Sequence, residues 1–217
     1  LGWLATLNIS GVLKIPDVNS LSEDQLKTLI NGCIGNHRKS QEHIYKMFYG
    51  KMMAVCRRYT NNEDQAKDIL QDGFIKLFKS LEKFNFVGSF EGWVRRIMVN
   101  TAIDYVRKSK NDFLLANENQ SVEDSQDTIM ADEEVEEPVE MSLNVNDVRT
   151  GMEQLSTAYR TVFNLYVFEN FSHQDIADAL EISVGTSKSN LAKARANLKK
   201  ILTKELDKRN GTRTEPI

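Results

Sequence analysis

The sequence predicts an all-α protein of two small helical domains joined by an acidic, flexible linker. Three observations carry that expectation. Apolar residues recur at three- and four-residue steps through 21–110 and again from 147 onward, no strand-period alternation of any length interrupts them, and residues 111–146 hold eleven carboxylates with no Lys or Arg. A three-to-four-residue recurrence gives a helix one buried face. A segment rich in Glu, Asp, Asn, Gln and Ser, with almost no aromatic residue, cannot bury enough surface to offset its ordering entropy, and its like charges extend it. The expected boundaries are a tail or added extension at 1–20, a helical domain at 21–110, the linker at 111–146, a second helical domain at 147–205 and a tail at 206–217.

In the first domain, Ser20-Leu21-Ser22 followed by Glu23 and Asp24 marks a helix start, and Leu26, Leu29 and Ile30 give that helix its apolar face before Asn31-Gly32 ends it. A longer helix follows from about Ser40, with Ile44, Met47, Phe48, Met52, Val55 and Cys56 inward until Tyr59-Thr60-Asn61-Asn62 breaks the pattern. The third opens at Asn62-Glu63-Asp64, where carboxylates complement the positive end of the helix dipole, and runs through Ile69, Leu70, Phe74, Ile75, Leu77, Phe78 and Leu81. An aromatic loop, Phe84-Asn85-Phe86-Val87-Gly88-Ser89, leads to a fourth helix with Trp93, Val94, Ile97, Met98, Ala102, Ile103 and Val106 on its apolar side.

The second domain begins near Asn146, and Val148, Met152 and Leu155 lead to the cap pair Ser156-Thr157. Val162, Phe163, Leu165, Tyr166 and Phe168 then predict a buried helix. Residues 171–201 spell two helices around a tight turn: Ser172 as cap, Ile176, Ala177 and Leu180 inward, Glu181-Ile182-Ser183 as the turn with Ile182 its apolar plug, and Leu191, Ala194, Leu198 and Ile201 as the second stripe. The other face of that second helix carries Lys188, Ser189, Lys193 and Arg195. A small crossing residue (Ala177), a plugged turn and two caps (Ser172 and Ser183) predict a DNA-binding helix-turn-helix.

Charge supports the same direction. The 217-residue chain has a formal net charge of −3, yet setting aside the eleven linker carboxylates leaves 28 basic against 20 acidic residues. Residues 37–110 alone hold fifteen Lys and Arg against eight Asp and Glu. The overall acidity therefore belongs to one segment, and the helical domains carry the positive field that nucleic acid requires.

The third and fourth helices read DILQDGFIKLFKSLEKFN (68–85) and FEGWVRRIMVNTAIDYVRK (90–108), and the second contains the spacing W-x-x-R-I-x-x-N-x-x-x-D-x-x-R from Trp93 to Arg107. These lines resemble region 2 of bacterial sigma factors. The helix-turn-helix resembles region 4, and with nothing recognisable between them the chain resembles an extracytoplasmic-function (ECF) sigma factor of the sigma-70 family. The resemblance covers about 37–110 and 147–203. It implies a transcription-initiation factor that binds core RNA polymerase through the beta-prime clamp helices and the beta flap, recognises −35 and −10 promoter elements and promotes melting of promoter DNA. It also implies an anti-sigma partner. No apolar run approaches the roughly 20 residues a membrane span needs, so no direct membrane insertion is expected.

On that resemblance Asp68, Gln71, Asp72 and Phe74 line the polymerase interface, the acceptors for basic clamp residues and Phe74 as desolvated anchor. Asn85, Phe86 and Ser89 form the pocket for an unstacked −10 base, and Arg95, Arg96, Asn100, Asp104 and Arg107 stand at steps that place most of them on one helical face. Asn100 offers a donor and an acceptor to a base edge and the arginines suit phosphate, while Trp93 reads as core more than as a stacking platform. Lys188, Ser189, Ala192 and Lys193 face the −35 groove, with Arg195 beside them for a phosphate. Lysines in place of bidentate arginines imply less strict base reading.

No nucleophile, base and orienter set is visible, and no phosphate-cradling glycine loop occurs, so neither an enzyme nor a cofactor is expected. Cys33 and Cys56 lack zinc-site spacing and read as free thiols of a cytoplasmic protein. The main rival, a LuxR-type helix-turn-helix regulator, requires a ligand or receiver module upstream, where the sequence offers neither strands nor an acidic pocket. A metal-dependent nuclease requires clustered carboxylates, and those of the first domain are dispersed.

Overall fold

The computed structural model describes residues 21–108 and 145–211. The predicted linker at 111–146 lies almost entirely outside them, as do the tail at 1–20 and the end of the chain. Contacts divide the chain into two compact units with the boundary at Tyr105 and Val106, close to the end of the fourth helix. Among the described residues every regular element is helical.

Helix α1 (Glu23–Ile34) starts with a capping box: the Gln25 N–H donates to Ser22 Oγ at 3.2 Å and the Ser22 N–H donates to Gln25 Oε1 at 2.9 Å. It runs through Asn31-Gly32, where the sequence predicts its end, and stops at Gly35 and the left-handed Asn36, φ 59°. Gly32 serves close approach instead of termination, since a Cβ there would lie 2.3 Å from Ser40 Oγ on the next helix. Helix α2 (Arg38–Arg57) buries Gln41, Ile44, Tyr45, Phe48, Met52, Met53, Val55 and Cys56 along one side. Helix α3 (Glu63–Ser80) is capped by Asn62, whose side chain accepts from the Asp64 N–H at 2.8 Å, and it closes in a 3-10 turn over Leu81–Lys83. A bidentate pair between Arg57 and Glu63, at 2.9 and 2.7 Å, staples the end of α2 to the start of α3.

Helix α4 (Phe90–Lys108) packs against both predecessors. Phe90 meets Phe48 of α2 edge to face at 5.6 Å, and Gly73 of α3 lies so close to Met98 that a Cβ would sit 2.2 Å from its sulfur. Ion pairs Lys51–Glu91 (2.7 Å) and Lys76–Asp104 (2.8 Å) flank these contacts. Burial of the Cys33 and Cys56 thiols pushes both up to about 12, which leaves them protonated and unreactive.

The C-terminal unit contains α5 (Val145–Glu153), α6 (Thr157–Val167), α7 (His173–Leu180) and α8 (Val184–Gly211). Helix α8 is its spine, and Leu191, Ala194, Leu198 and Leu202 are buried along it, with Ile201 at the edge of the stripe. Gly151 lets α5 approach closely, as a Cβ there would lie 2.9 Å from Leu198. Asp147, 8% exposed, receives both guanidinium nitrogens of Arg209 and ties α5 to the far end of α8. On α6, Val162 and Leu165 are buried as the sequence predicts, but Phe163 and Tyr166 are half-buried and Phe168, just past its end, is 40% exposed. Arg160 takes up interior space there, 2% exposed, its guanidinium pushed down to about 10 by burial and still charged at neutral pH.

Candidate nucleic-acid interface

Helices α7 and α8 form the helix-turn-helix. Ser172 caps α7 in a second capping box, accepting from the Asp175 N–H at 3.1 Å while Asp175 accepts from the Ser172 N–H at 2.9 Å. The Ser172 hydroxyl also donates to Asp175 Oδ2 at 2.6 Å, and this bond first, then the one from the Ser172 N–H, holds the Asp175 carboxyl below its ordinary range. The turn is made by Glu181 in the left-handed region, φ 56°, and the Ile182 N–H bonds the Ala177 carbonyl at 3.0 Å. Ser183 caps α8 by accepting from the Thr186 N–H at 2.9 Å.

The predicted groove residues Lys188, Ser189, Ala192, Lys193 and Arg195 are all exposed, and Asn190 is turned inward at 3% exposure. Burial of Ser187, Asn190, Leu191, Ala194 and Leu198 accounts for this division, because a stripe at three- and four-residue steps leaves the intervening positions outward. Two residues join the surface that sequence reasoning missed. Tyr166 of α6 lies under Arg195, its ring centroid 5.7 Å from the guanidinium carbon, and His173 stacks on Tyr166 at 4.8 Å. His173 Nδ1 is 2.9 Å from Ser187 Oγ, a bond between the two helices of the motif. Partial burial, then Lys188 and Arg195, hold the imidazole below its ordinary value and favour its neutral form. The Tyr166 and His173 contacts depend on tertiary packing that residue spacing does not reveal.

In the N-terminal unit Asn85 and Ser89 are exposed and Phe86 is half-buried. Phe86 has φ 60° and Gly88 φ 80°, so the loop turns through two left-handed positions. A left-handed phenylalanine is strained and is held only by its surroundings. Here the surroundings are aromatic: Phe84 lies 5.1 Å from Phe86, 5.0 Å from Phe90 and 5.3 Å from Trp93. Trp93 is half-buried within this cluster. Asn85 Oδ1 accepts from the Val87 N–H at 3.2 Å, and Ser89 Oγ accepts from the Gly92 N–H at 3.3 Å at the start of α4.

Along α4, Arg96 and Asn100 are exposed and Arg95 and Arg107 half-exposed. Asp104 is half-exposed, and its carboxylate accepts from Lys76 of α3 at 2.8 Å. On α3, Asp68, Gln71 and Asp72 are exposed, whereas Phe74 is fully buried against Tyr45 (4.6 Å) and Phe78 (6.1 Å). Phe74 is therefore a core residue and not a partner anchor. The inward stripe of α3 is Ala66, Ile69, Leu70, Gly73, Phe74 and Leu77, and Ile75 and Phe78 sit half-buried at its edges.

Among the described residues no group of His, Cys, Asp or Glu has the arrangement of a metal site, and no helix is long and apolar enough to cross a membrane.

A helical bundle ending in the Trp93–Arg107 helix, together with a helix-turn-helix, defines a protein of the sigma-70 class. Residues 44–111 match the family model "Sigma-70 region 2" and residues 146–198 match "Sigma-70, region 4". The ECF RNA polymerase sigma factor SigW of Bacillus subtilis is 32% identical over 162 residues, covering 73% of this chain and 87% of that protein. The RNA polymerase sigma factor YlaC of the same organism is 27% identical over 169 residues, covering 77% and 95%. The RNA polymerase sigma-H factor of Pseudomonas aeruginosa is 24% identical over 194 residues, covering 84% and 96%. The chain belongs to the ECF sigma factors of the sigma-70 family. It is a promoter-recognising transcription-initiation factor, and the LuxR-type reading is not favoured.

Proposed function

We propose a division of labour in which 21–110 binds core RNA polymerase and the −10 element, 147–205 binds the −35 element, and 111–146 joins them. The observation that carries the −35 half is the outward row Lys188, Ser189, Ala192 and Lys193 on a helix whose opposite side is buried. A basic helix face of this kind enters the major groove, with Arg195 oriented toward phosphate by the ring of Tyr166.

The −10 half combines the strained Phe86 with the exposed Asn85 and Ser89, and Arg95, Arg96, Asn100 and Arg107 follow on α4. Melting a duplex requires a surface that accepts an unstacked base and cations that hold the displaced phosphates. The polymerase contact is reduced to the exposed acceptors Asp68, Gln71 and Asp72 on α3. The protein acts by binding and strand separation, without catalytic chemistry or a cofactor of its own, and it works in the cytoplasm where polymerase and promoter meet.

Run-off transcription with purified core polymerase on promoter fragments tests this reading. The chain is expected to produce discrete transcripts that core polymerase alone does not. Absence of transcript together with absence of polymerase binding removes the reading.

A further inference from the structure

Helix α1 lies ahead of the stretch that matches region 2, which begins at residue 44. Yet α1 reaches the aromatic loop. Lys27 Nζ stands 5.6 Å from the centroid of the Phe86 ring, and Phe86 in turn leans on Phe84 at 5.1 Å. Lys27 also pairs with Glu23 at 2.6 Å, with its side chain 43% exposed. A partly exposed cation thus sits over one aromatic ring, a second ring supports the first, and the exposed amide of Asn85 and hydroxyl of Ser89 lie in the same loop.

Single-strand binding calls for this pairing of parts. A base stacks on an aromatic face, and a nearby cation takes its phosphate. A half-exposed lysine held by one aromatic ring and one exposed carboxylate gives up little on leaving them, because both contacts are weak in water. We propose that Lys27 is a phosphate-contacting residue of the −10 single-strand surface, and that α1 is part of the face that holds melted DNA. When a base of the displaced strand stacks on Phe86, Lys27 moves from the ring to the adjoining phosphate. Glu23 competes with that phosphate for the ammonium group. The inference rests on the reading of the Phe84–Ser89 loop as the −10 surface.

The test uses the full chain assembled with core polymerase and titrated with labelled fork-junction DNA whose −10 strand is unpaired, over a range of KCl, beside a fully duplex control. Lys27→Ala is expected to weaken fork-junction binding about fivefold, equivalent to about 1 kcal/mol, and to lower the salt slope by about 0.7, one single-strand phosphate contact. Lys27→Arg should keep both values. Glu23→Gln should tighten fork-junction binding in the parent but not beside Lys27→Ala, because the charge it removes acts by competing for the Lys27 ammonium group, a dependence that a merely structural role for Lys27 does not produce.

Thermal melting accompanies each variant, and if Lys27→Ala melts early the Glu23→Gln result decides. An unchanged salt slope for a folded Lys27→Ala, or an unchanged affinity for Glu23→Gln, overturns the inference while the −10 assignment stands. A parent complex that binds fork-junction and duplex DNA equally overturns both.

Discussion

On α8 the outward residues Lys188, Ser189, Ala192 and Lys193 stand on a regular helix, fixed by the buried stripe Leu191, Ala194 and Leu198 behind them. The loop before α4 presents Asn85 and Phe86 from a backbone with left-handed φ at Phe86 and Gly88, braced by Phe84, Phe90 and Trp93. The first arrangement is a rod of point charges that suits a duplex groove. The second is a strained edge of rings and amides, and it suits a strand that must leave its stack. On the proposed division of labour, one chain addresses intact and opened DNA through two kinds of rigidity, helical periodicity in one unit and aromatic packing in the other.

The largest effect is expected from emptying part of the core of the N-terminal unit. Phe74→Ala deletes a ring that is fully buried between Tyr45 and Phe78. The expected cost is about 3–5 kcal/mol, the range for emptying such a site. Urea unfolding followed by circular dichroism should show an early transition for that unit, with the C-terminal unit unchanged. A single unshifted transition contradicts the burial.

A smaller effect comes from the charges of α8. Lys188→Ala with Lys193→Ala is expected to lower the salt slope of duplex −35 binding by about 2, since each lost phosphate contact keeps about one counterion in place. Fluorescence anisotropy across KCl concentrations measures it, and an unchanged slope removes these lysines from the interface.

The smallest effect concerns the cap of α7. Ser172→Ala removes the acceptor for the Asp175 N–H and should destabilise the C-terminal unit by about 1 kcal/mol. The Ser172 side-chain and backbone bonds hold the Asp175 pKa below 3.8, so the stability they supply is full above the unfolded value and is lost as pH falls through the folded one. Acid titration of the variant should therefore show a shallower loss of stability below pH 4 than the parent. Equal acid sensitivity assigns the loss to other carboxylates.

The caps and stripes were legible because they depend on neighbours in sequence. Ser22 with Gln25, Asn62 with Asp64 and Ser172 with Asp175 each lie within three residues, and the structure forms all three bonds. The exposure of Lys188 and Lys193 followed from the same periodicity. Phe74 was misjudged because Phe74, Ile75 and Phe78 crowd one helix, and apolar character alone does not say which of them points inward. The close approach of Gly73 to Met98 sets that rotation, and α4 supplies it from a distant part of the chain. The bond between Lys76 and Asp104 is hidden in the sequence for a related reason, since the two lie 28 residues apart. The contacts of Lys27 with Phe86 and of His173 with Ser187 likewise arise only when separate helices come together.

The division of labour between the two units is tested most directly by titrating core RNA polymerase with two variants side by side, Gln71→Ala with Asp72→Ala on α3, and Lys188→Ala with Lys193→Ala on α8. All four positions are exposed, so neither pair disturbs a core. The α3 variant is expected to lose polymerase affinity by about 30-fold or more, as truncation of a hot-spot position costs about 2 kcal/mol, while the α8 variant binds polymerase like the parent. Equal polymerase affinity for both variants, or a loss confined to the α8 variant, contradicts the assignment.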